Sequence, residues 1–153
     1  MGRSLSIPEW HRMAEEGTAP PVRIQLNGGS MFPLVRRNRD YVTVVQLQKE
    51  PVAGDLVLFT DGIPDHYIVH RIREVKDGAV LTWGDNCAAP DGWIPLDSVW
   101  GKISLIERGK HKIFPDPKKG LRWAEFWHRV RPLYLFYIRI RQAIARRIKK
   151  PKM

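Results

Sequence analysis

Between Val22 and Ile106 the apolar residues alternate with polar ones or fall in short runs, and turn residues break every run before it reaches helical length. That pattern predicts strands at Val22–Leu26, Tyr41–Leu47, Leu56–Thr60, Tyr67–Val75, Ala79–Trp83 and Val99–Ile106. Lys76-Asp77-Gly78, between the fourth and the fifth, suits a tight hairpin turn. Several strands at close spacing with no helix between them argue for a mainly β, mostly antiparallel fold over residues 21–108.

Different segments flank this body. Ile7 to Glu16 reads as a short helix, with Ser6 as its N-cap and Pro8 in its first turn. Gly17 stops it, and Pro20-Pro21 forbid its continuation. Residues 1–20 are therefore an N-terminal helical segment. Residues 109–120 read as a linker, with Pro115, Pro117 and Gly120 among lysines. Residues 121–153 form a basic tail. Within it Trp123, Phe126, Trp127, Val130, Leu133, Tyr134, Tyr137, Ile140, Ile144 and Ile148 recur at helical spacing. Pro132 is expected to kink this helix or divide it in two.

The charge is concentrated in one place. Residues 1–108 hold 12 Lys+Arg and 14 Asp+Glu, a net of −2, whereas residues 109–153 hold 14 and 2, a net of +12. A nucleic-acid-binding domain would spread basic residues over a docking face; this is a near-neutral body with a basic tail. With 43% hydrophobic residues the chain is too apolar for a disordered one, and its single Cys87 has no partner for an intramolecular disulfide. The longest uninterrupted apolar run is six residues, Leu133 to Ile138, against the roughly 20 that a membrane span needs. The first ten residues lack the apolar core of a secretory signal, so a cytoplasmic location is expected. Gly2 with Ser6 fits an N-myristoylation pattern that is too short and common to carry weight.

Three stretches carry chemistry. Asn27-Gly28-Gly29-Ser30-Met31-Phe32-Pro33 follows a predicted strand, and glycines ahead of a serine open the backbone to an incoming peptide. On its own this reads as a polar loop rather than a nucleophile turn, because serine is a poor nucleophile without a base. Tyr67-Ile68-Val69-His70-Arg71-Ile72 places a histidine inside an apolar strand, where a histidine taken alone is more often a structural residue than a catalyst. Gly84-Asp85-Asn86-Cys87-Ala88-Ala89-Pro90-Asp91 offers two carboxylates on a loop that follows a strand, and such residues alone are turn formers.

Together, and in this order, they resemble one family. Gly-x-Ser-Met-x-Pro, Gly54-Asp55-Leu56-Val57, Val69-His70-Arg71-Ile72, Gly84-Asp85-Asn86 with an Asp six residues after Asp85, and Gly101-Lys102-Ile103 are similar to the motifs of the type I signal peptidases. The wider superfamily includes LexA-like self-cleaving repressors. The resemblance covers residues 22–106. It implies a serine endopeptidase that cuts a precursor or leader peptide after small residues. His70 stands where most bacterial members carry Lys, which implies the Ser-His-Asp branch of archaea and the endoplasmic reticulum. By that resemblance Ser30 is the nucleophile, His70 the general base, Asp91 the residue that orients His70, and Asp85 a supporting carboxylate. A neutral imidazole can take the Ser30 proton near pH 7 and return it to the leaving amine. No cofactor or metal is implied.

The sequence also departs from the family. Many members carry Ser two positions before the nucleophile, where this chain has Gly28, so oxyanion stabilisation would rest on backbone N–H groups. An N-terminal membrane anchor is missing, and a cytoplasmic location conflicts with cutting exported precursors. His11, His66, His111, His128 and Cys87 lack metal-ligand spacing. Cys87 has no basic neighbour in sequence and reads as a small residue, and Arg36, Arg37 and Arg39 read as a solvated turn. Residues 121–150 could lie on a membrane surface, pack on the β domain or a partner, or contact a polyanion. The first is preferred, with peripheral contact at the inner membrane face, and nucleic acid is the least favoured. Two other functions compete with the peptidase. One is a LexA-like self-cleaving regulator, for which the 20-odd residues before Val22 are too few. The other is a non-catalytic β module tethered by its basic helix.

Overall fold

The structure, a computed structural model, describes residues 5–148. Gly2 and the last part of the tail, residues 149–153, lie outside the described residues.

Helix α1 (Ile7–Glu15) begins with a reciprocal cap: the Glu9 N–H donates to Ser6 Oγ at 3.4 Å, and the Ser6 N–H donates to the Glu9 carboxylate at 3.0 Å. Its Trp10 is fully buried and donates from Nε1 to the Pro20 carbonyl at 2.6 Å. A Cβ at Gly101 would lie 2.7 Å from the Trp10 ring, so only glycine lets the helix seat this closely.

The body is a mainly antiparallel β-sheet. Among the described residues its strands are β1 (Val22–Gln25), β2 (Tyr41–Val45), β3 (Leu56–Thr60), β4 (Tyr67–Lys76), β5 (Ala79–Trp83), β6 (Gly92–Pro95), β7 (Val99–Arg108) and β8 (His111–Ile113). They run in the order β1-β2-β7-β3-β4-β5-β6, with β8 paired to β7. In β3 the side chains alternate between faces, so Leu56 and Leu58 join one core with Trp10, Met31, Val42 and Ile103, and Val57 and Phe59 join another with Ile72, Val80 and Val99. A strand buried on both faces needs an unbroken apolar run, which Leu56-Val57-Leu58-Phe59 supplies.

The six expected strands are present with ends shifted by at most two residues, and two more join them. Gly92-Trp93-Ile94-Pro95 pairs with β5 despite its glycine and proline, because an edge strand tolerates a missing donor. Residues 109–120, expected as a linker, carry β8 and the first turn of the C-terminal helix α2 (Pro117–Ile148). Pro132 does not divide α2, which is helical on both sides of it. Contacts on each side hold the helix through the proline: Trp127 and Tyr134 both pack on Phe32, with ring centroids 6.1 and 5.9 Å away.

The first half of α2 is part of the body. Ala124 and Trp127 are buried, and His128 packs edge-on against Trp83 with centroids 4.4 Å apart. The helix start has no room for side chains, since a Cβ on Gly54 would strike Pro117 and one on Gly120 would strike Arg71. The second half leaves Leu133, Phe136, Tyr137, Ile140, Ile144 and Ile148 exposed.

Candidate active site

His70 lies on β4 opposite Val57 of β3, in the half of β4 that β5 does not reach. It is nearly buried, and its Nδ1 is 2.6 Å from Asp91 Oδ2. The same carboxylate oxygen accepts the Thr82 hydroxyl at 2.9 Å, and the Asp91 N–H donates to the Thr82 carbonyl at 2.9 Å. β5 therefore positions the residue that orients the histidine. A carboxylate accepts, so Nδ1 is the donor of this pair, and in the neutral imidazole Nε2 is then the acceptor.

Ser30 sits in the loop after β1, and the loop is clamped by Asn86. The Asn86 N–H donates to the Ser30 carbonyl at 2.7 Å, and its side-chain amide donates to the Gly29 carbonyl at 3.1 Å. A Cβ built on Gly84 would lie 2.8 Å from His70 Nε2, 2.9 Å from the Ser30 carbonyl and 2.6 Å from Cys87 Sγ. The Nε2 edge of His70 and the backbone of Ser30 thus meet at Gly84. No hydrogen bond joins the Ser30 hydroxyl to His70, and the Ser30 N–H has no protein acceptor among the described residues. That N–H is free to receive a developing oxyanion.

Ser30 and His70 line one groove of about 580 Å³, with Ile24, Leu26, Leu58 and Val69 as its apolar walls. Among the described residues β1 ends the sheet and pairs only with β2, while Tyr67–His70 of β4 pair only with β3. The groove therefore runs between two strand edges with unused backbone donors and acceptors.

Asp85 is elsewhere. It is fully buried and takes both Arg71 Nε (2.9 Å) and Nη2 (2.8 Å), while Arg71 Nη1 donates to the Gly54 carbonyl. His70 and Arg71 are neighbours on one strand and face opposite sides of it, so the two acids serve different partners. Asp91 reaches the histidine, and Asp85 ties the loop to β4.

Burial pushes the Cys87 thiol above its ordinary pKa, and the Asp91 charge adds to this, so it stays protonated beside the site. Among the described residues no cluster of three or more His, Cys, Asp or Glu side chains could hold a metal ion. Thr82, Gly84, Asn86 and Arg131, whose Nε donates to Asn86 Oδ1 at 3.0 Å, escaped the sequence reading as site residues. Asn86 stood inside a recognised motif, but nothing in the sequence linked Arg131 to it. No protein-family model matches the chain, and no curated protein sequence matches it significantly.

Proposed function

We propose that the chain is a serine endopeptidase of signal-peptidase type acting on a precursor or leader peptide. The observation that carries the reading is a nearly buried histidine oriented by a partly exposed carboxylate, opening onto an apolar groove that also holds Ser30. Those features support a Ser30–His70–Asp91 relay. An extended peptide would add as a strand between the free edges of β1 and β4, presenting its backbone to Ser30.

The steps follow from that placement. His70 Nε2 takes the hydroxyl proton as Ser30 Oγ attacks the scissile carbonyl. The backbone N–H of Ser30 receives the oxyanion, and with Gly28 in place of a hydroxyl residue the loop N–H groups carry this alone. Collapse breaks the C–N bond, and His70 gives its proton to the departing amine. Water, deprotonated by the same imidazole, then hydrolyses the acyl-enzyme. A substrate with small residues next to the cut fits the family resemblance, and the positive tail suits the anionic cytoplasmic face of a membrane.

The test is labelling with a serine-reactive fluorophosphonate, comparing wild type with Ser30→Ala and His70→Ala. Labelling of wild type alone supports the reading. Equal labelling of Ser30→Ala, or none of any form together with no cleavage of a leader-peptide library, overturns it in favour of a binding module.

A further inference from the structure

We infer that the outward face of α2 is a docking surface for an anionic lipid bilayer, on which the helix lies flat. Ala124, Trp127, His128 and Arg131 turn towards the β body. At about 100° per residue, Leu133, Phe136, Tyr137, Ile140, Ile144 and Ile148 fall in an arc of roughly 120° on the opposite side. Leu133 is 72% exposed and Ile148 78%, fractions at which a large apolar side chain has little protein contact. The stripe is therefore not the seam by which the helix packs on its own body.

Charge selects the occupant. Glu125 is the last acid in the chain, and at the same 100° spacing Arg129, Arg141 and Arg147 fall within or beside the apolar arc. A second copy would set arginine against arginine with no carboxylate to answer them. A nucleic acid would satisfy the arginines and leave Leu133, Phe136, Ile140 and Ile144 in water. A bilayer with anionic headgroups satisfies both sets at once, because cations lie at headgroup level while aliphatic and aromatic side chains sink below it. Among the described residues no helix is long and apolar enough to cross a membrane, in keeping with a helix that lies on the surface. Each well-placed arginine raises affinity roughly fivefold, and the apolar stripe adds a part that salt does not screen.

The experiment is co-sedimentation of the full chain with vesicles of phosphatidylglycerol in phosphatidylcholine, and with phosphatidylcholine alone, over a range of salt. Wild type is expected to pellet with the mixed vesicles, more weakly as salt rises but still measurably at high salt. The variant Leu133→Gln/Phe136→Gln/Ile140→Gln is expected to lose about tenfold or more in vesicle affinity. Its melting temperature should stay unchanged, since those side chains face solvent. Undiminished vesicle binding by this variant, or binding to a duplex oligonucleotide as tight as to vesicles, would mark a simple polyanion contact and overturn the inference. So would failure to bind vesicles with a dimer, seen by light scattering, that the same substitutions dissociate. Vesicle binding is read without peptide cleavage, so its outcome is independent of the peptidase reading.

Discussion

Arg131, midway along α2, donates from Nε to Asn86 Oδ1 at 3.0 Å, and Asn86 in turn holds the Gly29 and Ser30 carbonyls. The C-terminal helix is thus two hydrogen bonds away from the Ser30 peptide. Loss of the first link should loosen the Ser30 loop without unfolding the sheet. Arg131→Met is expected to cost about 1 kcal/mol of stability and to slow fluorophosphonate labelling of Ser30 by about tenfold, as misplacement of reacting groups does. Denaturation midpoints beside labelling rates check this; an unchanged labelling rate would remove the helix from the site.

The two loop carboxylates should separate cleanly. Asp91→Asn presents His70 with the wrong hydrogen-bonding partner and should lower kcat/KM on the order of 10⁴-fold with little change in melting temperature. Asp85→Asn leaves the Arg71 guanidinium buried beside a neutral amide and should cost about 3–5 kcal/mol of stability. Replacing both partners, as Arg71→Met/Asp85→Leu, should recover much of that loss. Urea denaturation of the four proteins with matched peptide kinetics gives the comparison.

Gly84→Ala puts a methyl group where His70 Nε2, the Ser30 carbonyl and Cys87 Sγ converge. Two of these neighbours are the proposed base and the backbone of the proposed nucleophile, so relief must come from moving the geometry of the candidate site. The expected outcome is a folded protein destabilised by about 1–3 kcal/mol with its peptidase activity lost. Circular dichroism with probe labelling distinguishes this from simple unfolding.

His128 anchors α2 against Trp83, with Arg73 Nη2 3.3 Å from its Nε2 and the buried Asp85 nearby. Burial, and then the Arg73 charge, push its pKa below the ordinary imidazole value of 6.5. The unfolded chain therefore binds a proton at a higher pH than the folded one. The contribution to stability is complete above about pH 6.5 and is lost as pH falls below it. Melting temperature should drop more for wild type than for His128→Gln between pH 7 and pH 5. Parallel pH dependences would show that His128 does not titrate against folding.

The antiparallel body was legible because period two is a local property. Val42 and Val44 are buried while Tyr41, Thr43 and Val45 are only half so, as alternation requires. Ser30, His70 and Asp91 were singled out only by the resemblance of the ordered motifs, since each stretch alone reads as a loop, a strand histidine or a turn; the structure brings His70 to Asp91 and sets Ser30 on the same groove. β6 and β8 were not legible: Gly92 and Pro95 bound the first and the second has three residues, so each gains its order from a neighbour already in place. That Pro132 does not divide the helix was illegible for the same kind of reason: the cost of a proline inside a helix is local, but the Phe32 contacts on either side of it come from a loop 100 residues earlier.

The choice between the two carboxylates shows where sequence alone stops. Asp85 and Asp91 lie on one loop, and residue type gives both an equal claim on His70. Strand geometry separates them. Alternate residues of β4 face opposite sides, so the loop that runs past both delivers Asp85 to Arg71 and, after turning back to pair with β5, Asp91 to His70. Likewise the periodicity of α2 gave an apolar stripe but not its direction. That was decided by Gly54 and Gly120, which admit the helix to the body with its Trp127 face inward and leave the Leu133–Ile148 face outward. Alternation and helical spacing are carried by neighbours along the chain, whereas a partner's identity depends on which surfaces the finished sheet brings within a few ångströms.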